Sequence, residues 1–552
     1  MDIFLQSRWL NQNGYPMKAL TTMQAAYWVG RQSAPPLGGM AAHLYAEFDG
    51  GELDTARLRQ AVEALYLHHP LLRLRITDDG RQTIAPPGPR HALHLDDWQH
   101  ADEATLAAAL AAKRQAKSTQ LLPLEQGVPC DISLSLLPEG RSRLHVDLDM
   151  IAGDAMSFRL LMEDLTAFYH QCPPAPSDDA PAAYFDHLER RDADEALRQR
   201  RERGQRWWRE SLAQVPPAPR LLRTPDRCRS DRLAVQLNAE ESRALENVAK
   251  RHHTSLSTLF LALFALAVGQ GWNMTRFRLN VPLFHRESER EDAHRLIGDF
   301  SNLVLLGVEL NPTENLSAFC RRLMAQLAEL IEHADYPGVS VMRDLSRLHG
   351  SLQPSPVVFT AGFGIHGKTL FSERVTDTFG RLGWVISQGP QVALDAQVAH
   401  VDDGILINWD VRLDAFPEHA LPRLLACYRA LLHLAARQTE AFDRPLAQLL
   451  AQCTPDALAQ QAPVRQVLHR LLARVAPEAS LHDHDDIHRL ALPDAGVNAL
   501  LTVLNKYLAA ALTAQDLAAH PSPAALAALI CQRSPEAGRN AKTLLAALAP
   551  QH

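Results

Sequence analysis

A chain of 552 residues is too long for a single hydrophobic core and predicts about two to four domains. With 46% apolar and 22% charged residues it reads as globular, and a net charge of −7 leaves no basic footprint for nucleic acid. Seven cysteines, scattered and without CxxC spacing, argue against both a disulfide framework and a zinc site.

The opening Met1-Asp2-Ile3-Phe4 has no basic region followed by an apolar stretch, so no signal peptide is expected and the location is expected to be cytoplasmic. Residues 41–48 alternate like a strand, and 56–67 follow as an amphipathic helix. Residues 143–149 alternate again, with Leu144, Val146 and Leu148 on one face and His145, Asp147 and Asp149 on the other. Phe158, Leu160, Leu161, Leu165 and Phe168 then take up helical spacing. Asp149 and Asp154 therefore stand where a strand ends and a helix begins, with Ser157 expected to cap that helix. Proline-rich segments at 172–179 and 215–219 mark boundaries, and a third boundary falls at 451–463. Residues 277–283 and 405–409 read as strands, and 316–331 as a helix. The longest apolar stretch, 259–268, is too short to span a bilayer and reads as a buried helix. Strands alternating with helices predict mixed α/β layers.

Several motifs occur in one order. They are Leu20-Thr21-Thr22-Met23-Gln24-Ala25-Ala26-Tyr27-Trp28-Val29-Gly30-Arg31, then His69-Pro70-Leu71-Leu72-Arg73, then Asp149-xxxx-Asp154-xx-Ser157. Gly298-Asp299-Phe300-Ser301-Asn302-Leu303, Pro356-Val357-Val358-Phe359-Thr360 and Ser387-Gln388-Gly389-Pro390-Gln391-Val392-Ala393-Leu394-Asp395 follow. Over residues 15–445 this set resembles the heterocyclization domains of nonribosomal peptide synthetases, relatives of condensation domains that make thiazoline and oxazoline rings. The resemblance implies two lobes of chloramphenicol-acetyltransferase-like topology in a V-shaped pseudo-dimer, 1–175 and 176–450, with 451–463 as a linker. An ordinary condensation domain carries HHxxxDG where Asp149 begins its motif; here His68-His69 lies elsewhere and runs into Pro70.

Ring formation needs a proton taken from a thiol or hydroxyl and one delivered to a departing oxygen, work suited to a carboxyl with a hydroxyl beside it. The resemblance implies Asp395 as that carboxyl and Thr360 as the hydroxyl. It also implies that Asp154 is a buried structural carboxylate with Arg286 as its partner. Asp149 and Gln391 are expected to position substrate, and Tyr27 and Arg31 to brace the first motif. Two departures stand close by: Ala361 replaces a serine usual in the family, and Gly389 a threonine. No metal or other cofactor is expected on the chain; His482, His484 and His488 read as a polar loop entering a helix. Trp207 and Trp208 read as packing residues.

Residues 464–552 resemble a small all-α carrier domain. Its register places Asp494, or with a one-residue shift Ala495, where a working carrier has the serine that bears phosphopantetheine. No serine lies between Ser480 and Ser522, so this tail reads as a carrier that cannot be loaded. The implied partners are donor and acceptor carrier proteins bearing substrates on phosphopantetheine, and a separate adenylation enzyme, with no nucleic acid and no membrane. Two other readings stay open: an enzyme forming only an amide or ester, and a non-catalytic docking scaffold.

Overall fold

The computed structural model describes residues 17–32, 37–89, 91–174, 183–225, 229–284, 286, 294–363, 369–437, 439–476, 487–490, 492–520 and 522–547. Strands and helices alternate as expected, and the chain divides into two compact units. The first comprises 1–243, 276–309 and 322–418; the second comprises 244–275, 310–321 and 419–552.

The strands of the first unit are β1 (Lys18–Ala19), β2 (His43–Gly50), β3 (Leu74–Ile76), β4 (Arg81–Ile84), β5 (His94–Asp97), β6 (Cys130–Leu137), β7 (Arg141–Asp149) and β8 (Ser230–Leu237). They continue as β9 (Arg276–Phe284), β10 (Ser301–Glu309), β11 (Val357–Ala361), β12 (Arg381–Gln388), β13 (Leu394–Val401) and β14 (Gly404–Arg412). One sheet has the order β12-β2-β7-β6-β5, a second β10-β9-β11-β13-β14-β8, and a small third β1-β4-β3. Strand β12 thus comes from late in the chain to pair antiparallel with β2.

β7 is the central strand of the first sheet, and this position changes its reading. The alternation at 143–149 suggests one wet face, yet residues 144–149 are all buried. Buried polar side chains of this strand take partners from neighbouring strands instead. The imidazole of His145 contacts the Tyr45 hydroxyl (2.8 Å) and the Ser135 hydroxyl (3.0 Å), and Asp147 pairs with His43 at 2.8 Å. A strand covered on both faces keeps polar residues only when each finds a partner. The apolar face packs with Phe48, Leu58, Val62, Phe158, Leu161 and Leu165 in one core.

The helix Ala155–Tyr169 follows this strand, and its cap corrects the sequence expectation. Asp154, extended at φ −77°, is the N-cap, its carboxylate accepting from the Ser157 N–H at 2.8 Å. Ser157 lies three residues into the helix. Both are good capping types, and the point where the ladder of β7 ends decides between them.

In the second unit, the helix Leu256–Gly271 is capped by Ser255, whose hydroxyl accepts from Thr258 N–H at 3.0 Å. Its residues 258–269 are buried, as a core helix requires. Among the described residues no single helix is long and apolar enough to cross a membrane. Residues 451–463, read as a linker, are mostly helical: Leu446–Gln452 is followed at once by the helix Pro455–Val475. Pro455 occupies the first turn, where a missing N–H costs nothing, and the alanines, leucines and glutamines that follow are strong helix formers. The apolar stripe Val464, Val467, Leu468 and Leu472 then packs on Leu500, Leu504, Leu508, Leu526 and Ile530. The helices Asp494–Leu508, Ala514–Ala519, Pro523–Arg533 and Ala537–Ala547 complete that small core.

Candidate active site

At the end of β7 the two aspartates take different partners. Asp149 Oδ2 accepts from Arg31 Nη1 at 2.7 Å and Oδ1 from the Ile151 N–H at 3.1 Å. Burial pushes the Asp149 carboxyl up to about 6, with Arg31 pulling it back down. The pairing of Arg31 with Asp149 was not foreseen from the sequence. Asp154 and Arg286 do come together, at 2.9 Å and both buried. Ser157 joins them: its Oγ lies 2.8 Å from Asp154 Oδ1 and from the Gly298 carbonyl, and accepts from Arg286 Nη2 at 2.8 Å. Arg286 also donates to the Leu296 carbonyl at 2.6 Å, so the group locks two segments to the helix start.

Tyr27, partly buried, and the buried Asp299 form a second group. Burial, reinforced by the charge of Asp299, holds the Tyr27 phenol well above its ordinary range, so it stays protonated. Asp299 is itself pushed up to about 7 by burial, while the Ser301 N–H donates to its Oδ1 at 3.0 Å.

The third group lies on the six-stranded sheet. β11 and β13 run parallel, with Val358 opposite Asp395 and Thr360 opposite Gln397. Residues two apart share a face, so Thr360 and Asp395 project together. The Thr360 hydroxyl donates to Asp395 Oδ1 at 2.8 Å. Gln397 Nε2 donates to Asp395 Oδ2 at 2.9 Å and to Asp410 Oδ2 at 2.8 Å. Asp410 stands directly opposite Asp395 on β14, and it also accepts from Ser387 N–H (2.6 Å) and Asn408 Nδ2 (3.1 Å). Burial raises both carboxyls, Asp395 to about 6 and Asp410 to about 8, the charge of Asp395 adding to the latter. A carboxyl raised toward neutrality with a hydroxyl on one oxygen can take a proton and return it.

Sequence reasoning missed Gln397, Asn408 and Asp410. The signal was present as two alternating pairs, Asp395-Ala396-Gln397 and Asn408-Trp409-Asp410, each setting two polar groups on one face of an apolar strand. Gln391 does not join the group. It is exposed in the turn before β13, in a left-handed conformation at φ 65°, with its N–H donating to the Leu37 carbonyl at 2.8 Å.

The departures are local. Ala361 ends β11, half-buried; Gly389 sits in the turn after β12, where an added Cβ would meet only Val392, at 3.6 Å. Trp207 packs edge-on against Trp208 and stacks on His333. His69 Nε2 is hydrogen-bonded to Asp164 at 2.8 Å, with His68 beside it. His482 and His484 lie outside the described residues, as does the His488 side chain.

The condensation domain family matches residues 15–452. Phenyloxazoline synthase MbtB of Mycolicibacterium paratuberculosis is 39% identical over 487 residues, 86% of this chain and 40% of that one. Pyochelin synthetase PchE of Pseudomonas aeruginosa is 34% identical over 475 residues, 83% of this chain and 32% of that one. The chain thus spans well under half the length of these relatives. Among solved structures, the EpoB cyclization-docking bidomain from Sorangium cellulosum superposes with a TM-score of 0.68 at 25% identity, covering 78% of this chain and 86% of that one.

Proposed function

The chain belongs to the condensation domain family, and from that premise we propose that it is a heterocyclization domain of nonribosomal peptide synthesis. Its fold is the two-lobed, chloramphenicol-acetyltransferase-like α/β fold with an additional C-terminal helical region. The observation that carries the reading is the Thr360 hydroxyl donating to Asp395, a half-buried carboxyl raised to about 6.

In this reading the amine of a carrier-bound cysteine, serine or threonine attacks the carbonyl of an acyl thioester. The donor carrier's thiol leaves and an amide forms. The side-chain thiol or hydroxyl then adds to that amide carbonyl, its proton passing to the Asp395 carboxylate. The protonated Asp395 returns the proton to the former carbonyl oxygen, giving the hydroxyl of a cyclic tetrahedral intermediate. The carboxylate then takes the N–H proton of the former amide and delivers it to that hydroxyl, which departs as water while the C=N bond of a thiazoline or oxazoline forms. Thr360 fixes the orientation of the carboxyl through its hydrogen bond. Asp154, Ser157 and Arg286 act as a structural lock, and Asp149 with Arg31 holds the end of β7. Nothing in this chemistry asks for a metal or redox cofactor; substrates arrive on the phosphopantetheine of donor and acceptor carriers, the acceptor charged by an adenylation enzyme. Such partners, and this protein with them, would be cytoplasmic. We assign residues 464–552 as a carrier-like domain that cannot be loaded, Asp494 standing in the serine position.

Intact-mass analysis of a cysteine-loaded acceptor carrier, after mixing with this protein and an acyl-loaded donor carrier, tests the reading. A condensed product lighter by one water in the wild type and not with Asp395→Asn supports it. A condensed product that keeps its water favours the narrower reading, amide formation alone, which Ala361 and Gly389 in place of hydroxyl residues would suit. Binding of carriers without product would leave the scaffold reading.

A further inference from the structure

We propose that Asp395 and Asp410 form a coupled pair holding one proton between them across the Gln397 amide, with Asp410 the positioning residue that keeps Asp395 able to act as an acid. The inference rests on the heterocyclization reading and goes beyond it, since that reading uses Asp395 alone.

Three observations carry it. Asp395 and Asp410 are opposed in the antiparallel ladder of β13 and β14, and side chains so opposed lie close on one face. The two N–H groups of one amide serve both carboxyls, so Gln397 holds them at a fixed separation. The remaining bonds differ: Asp395 faces a hydroxyl, whereas Asp410 faces the Ser387 N–H and the Asn408 amide, a setting suited to a resident carboxyl that meets no substrate. Two carboxylates at such a site do not both ionise readily, and the pair titrates in two steps.

Among the described residues the charged surroundings are few. Arg232 on β8 is in register with Asp410 from the other side, its guanidinium over the Trp384 ring of β12, and its charge favours the ionised form. Arg114 stacks on the same ring and is paired with Glu47. Arg412, next on this face of β14, is paired with Asp414. Burial nonetheless keeps the last proton on the pair up to about pH 8, whereas Asp395 is raised only to about 6. Between these values the pair is singly protonated, able to receive a proton from the nucleophile and to give one to the departing oxygen.

The test is the pH dependence of water loss, read as the ratio of cyclised to uncyclised product by intact mass, in wild type and Asp410→Asn. The wild-type ratio should fall above about pH 8; in Asp410→Asn the fall should come about two pH units lower, near pH 6, with uncyclised amide accumulating. Superimposable profiles overturn the proposal. Thermal melts from pH 5 to 9 serve as a second arm that needs no turnover. The Tm difference between Asp410→Asn and wild type should grow with pH, and the midpoint of that growth should move to lower pH in the Asp395→Asn background, where the neighbouring charge is gone. An unmoved midpoint overturns the coupling. Should the wild type give no cyclised product at any pH while the midpoint moves, the heterocyclization reading fails and the pair stands.

Discussion

Removing the Asp154 carboxylate exposes how the start of the helix Ala155–Tyr169 is held. One oxygen, Oδ1, contacts the Ser157 N–H at 2.8 Å, the Ser157 hydroxyl at 2.8 Å and Arg286 Nη2 at 2.9 Å. Asp154→Ala therefore deletes an N-cap, ordinarily worth about 1 kcal/mol, and strips a buried guanidinium of its counter-charge, ordinarily worth about 3–5 kcal/mol. Because both losses pass through one oxygen they are not fully additive, and the expected total is about 3–5 kcal/mol. Asp154→Asn keeps an oxygen at the cap but loses the charge, and should cost less, about 1–3 kcal/mol. Urea denaturation of the full chain, followed by tryptophan fluorescence, measures both. A cycle with Arg286→Met then isolates the pair: if Asp154 acts by locking Arg286, the double variant should be less damaged than the sum of the singles by about 1–3 kcal/mol. Additive losses, or an unchanged urea midpoint together with lost cyclisation, would refute a structural role and make Asp154 a group of the reaction.

Three further outcomes follow from the same geometry. Asp395→Asn should slow water loss by about 10²–10⁴-fold, and Thr360→Val, which removes one 2.8 Å hydrogen bond to that carboxyl, by about tenfold, in single-turnover mass measurements; equal, small effects from both would refute the proton-transfer role. Asp299, pushed up to about 7 by burial, is destabilising once ionised. Its raised carboxyl is fully accommodated below the unfolded value near 4, and its stability is lost as pH rises toward 7, so Asp299→Asn should gain on wild type by about 2–4 kcal/mol over that range and level off above it; a gain independent of pH would refute the assignment. Finally, incubation with coenzyme A and a phosphopantetheinyl transferase should leave the wild-type mass unchanged and add one phosphopantetheine to Asp494→Ser, whose residue opens the helix Asp494–Leu508; modification of the wild type would overturn the reading of the tail.

Much of this site was legible in the chain. The strand-to-helix junction at Asp149 and Asp154 follows from a change of apolar period, and the pairings Asp154–Arg286 and Thr360–Asp395 were expected from motifs and are found at 2.9 and 2.8 Å. What escaped has a common cause. Asp410 becomes a neighbour of Asp395 only once strand order and register are known, and neither is written in local alternation. The burial of the polar face of β7 escapes local alternation, because period two reports sidedness and not how many layers cover a strand. Prolines at 455 and 463 make residues 451–463 resemble a linker, yet Pro455 lands in a first turn where it is tolerated and the alanines, leucines and glutamines around it are helix formers.

Asp395, Gln397, Asn408 and Asp410 all belong to one β-hairpin, closed between Val401 and Gly404 by the two-residue turn Asp402-Asp403 with Asp402 at φ 51°. Their mutual alignment is set by that tight turn, within a short run of chain, and needs no distant segment to define it. Hairpins of this kind close in about 1–10 μs, far ahead of the long-range pairing that brings β11 alongside. The same economy makes the chemistry brittle: one residue inserted at the turn would slip the register and send Asn408 and Asp410 to the opposite face, disarming the pair without touching any of its members.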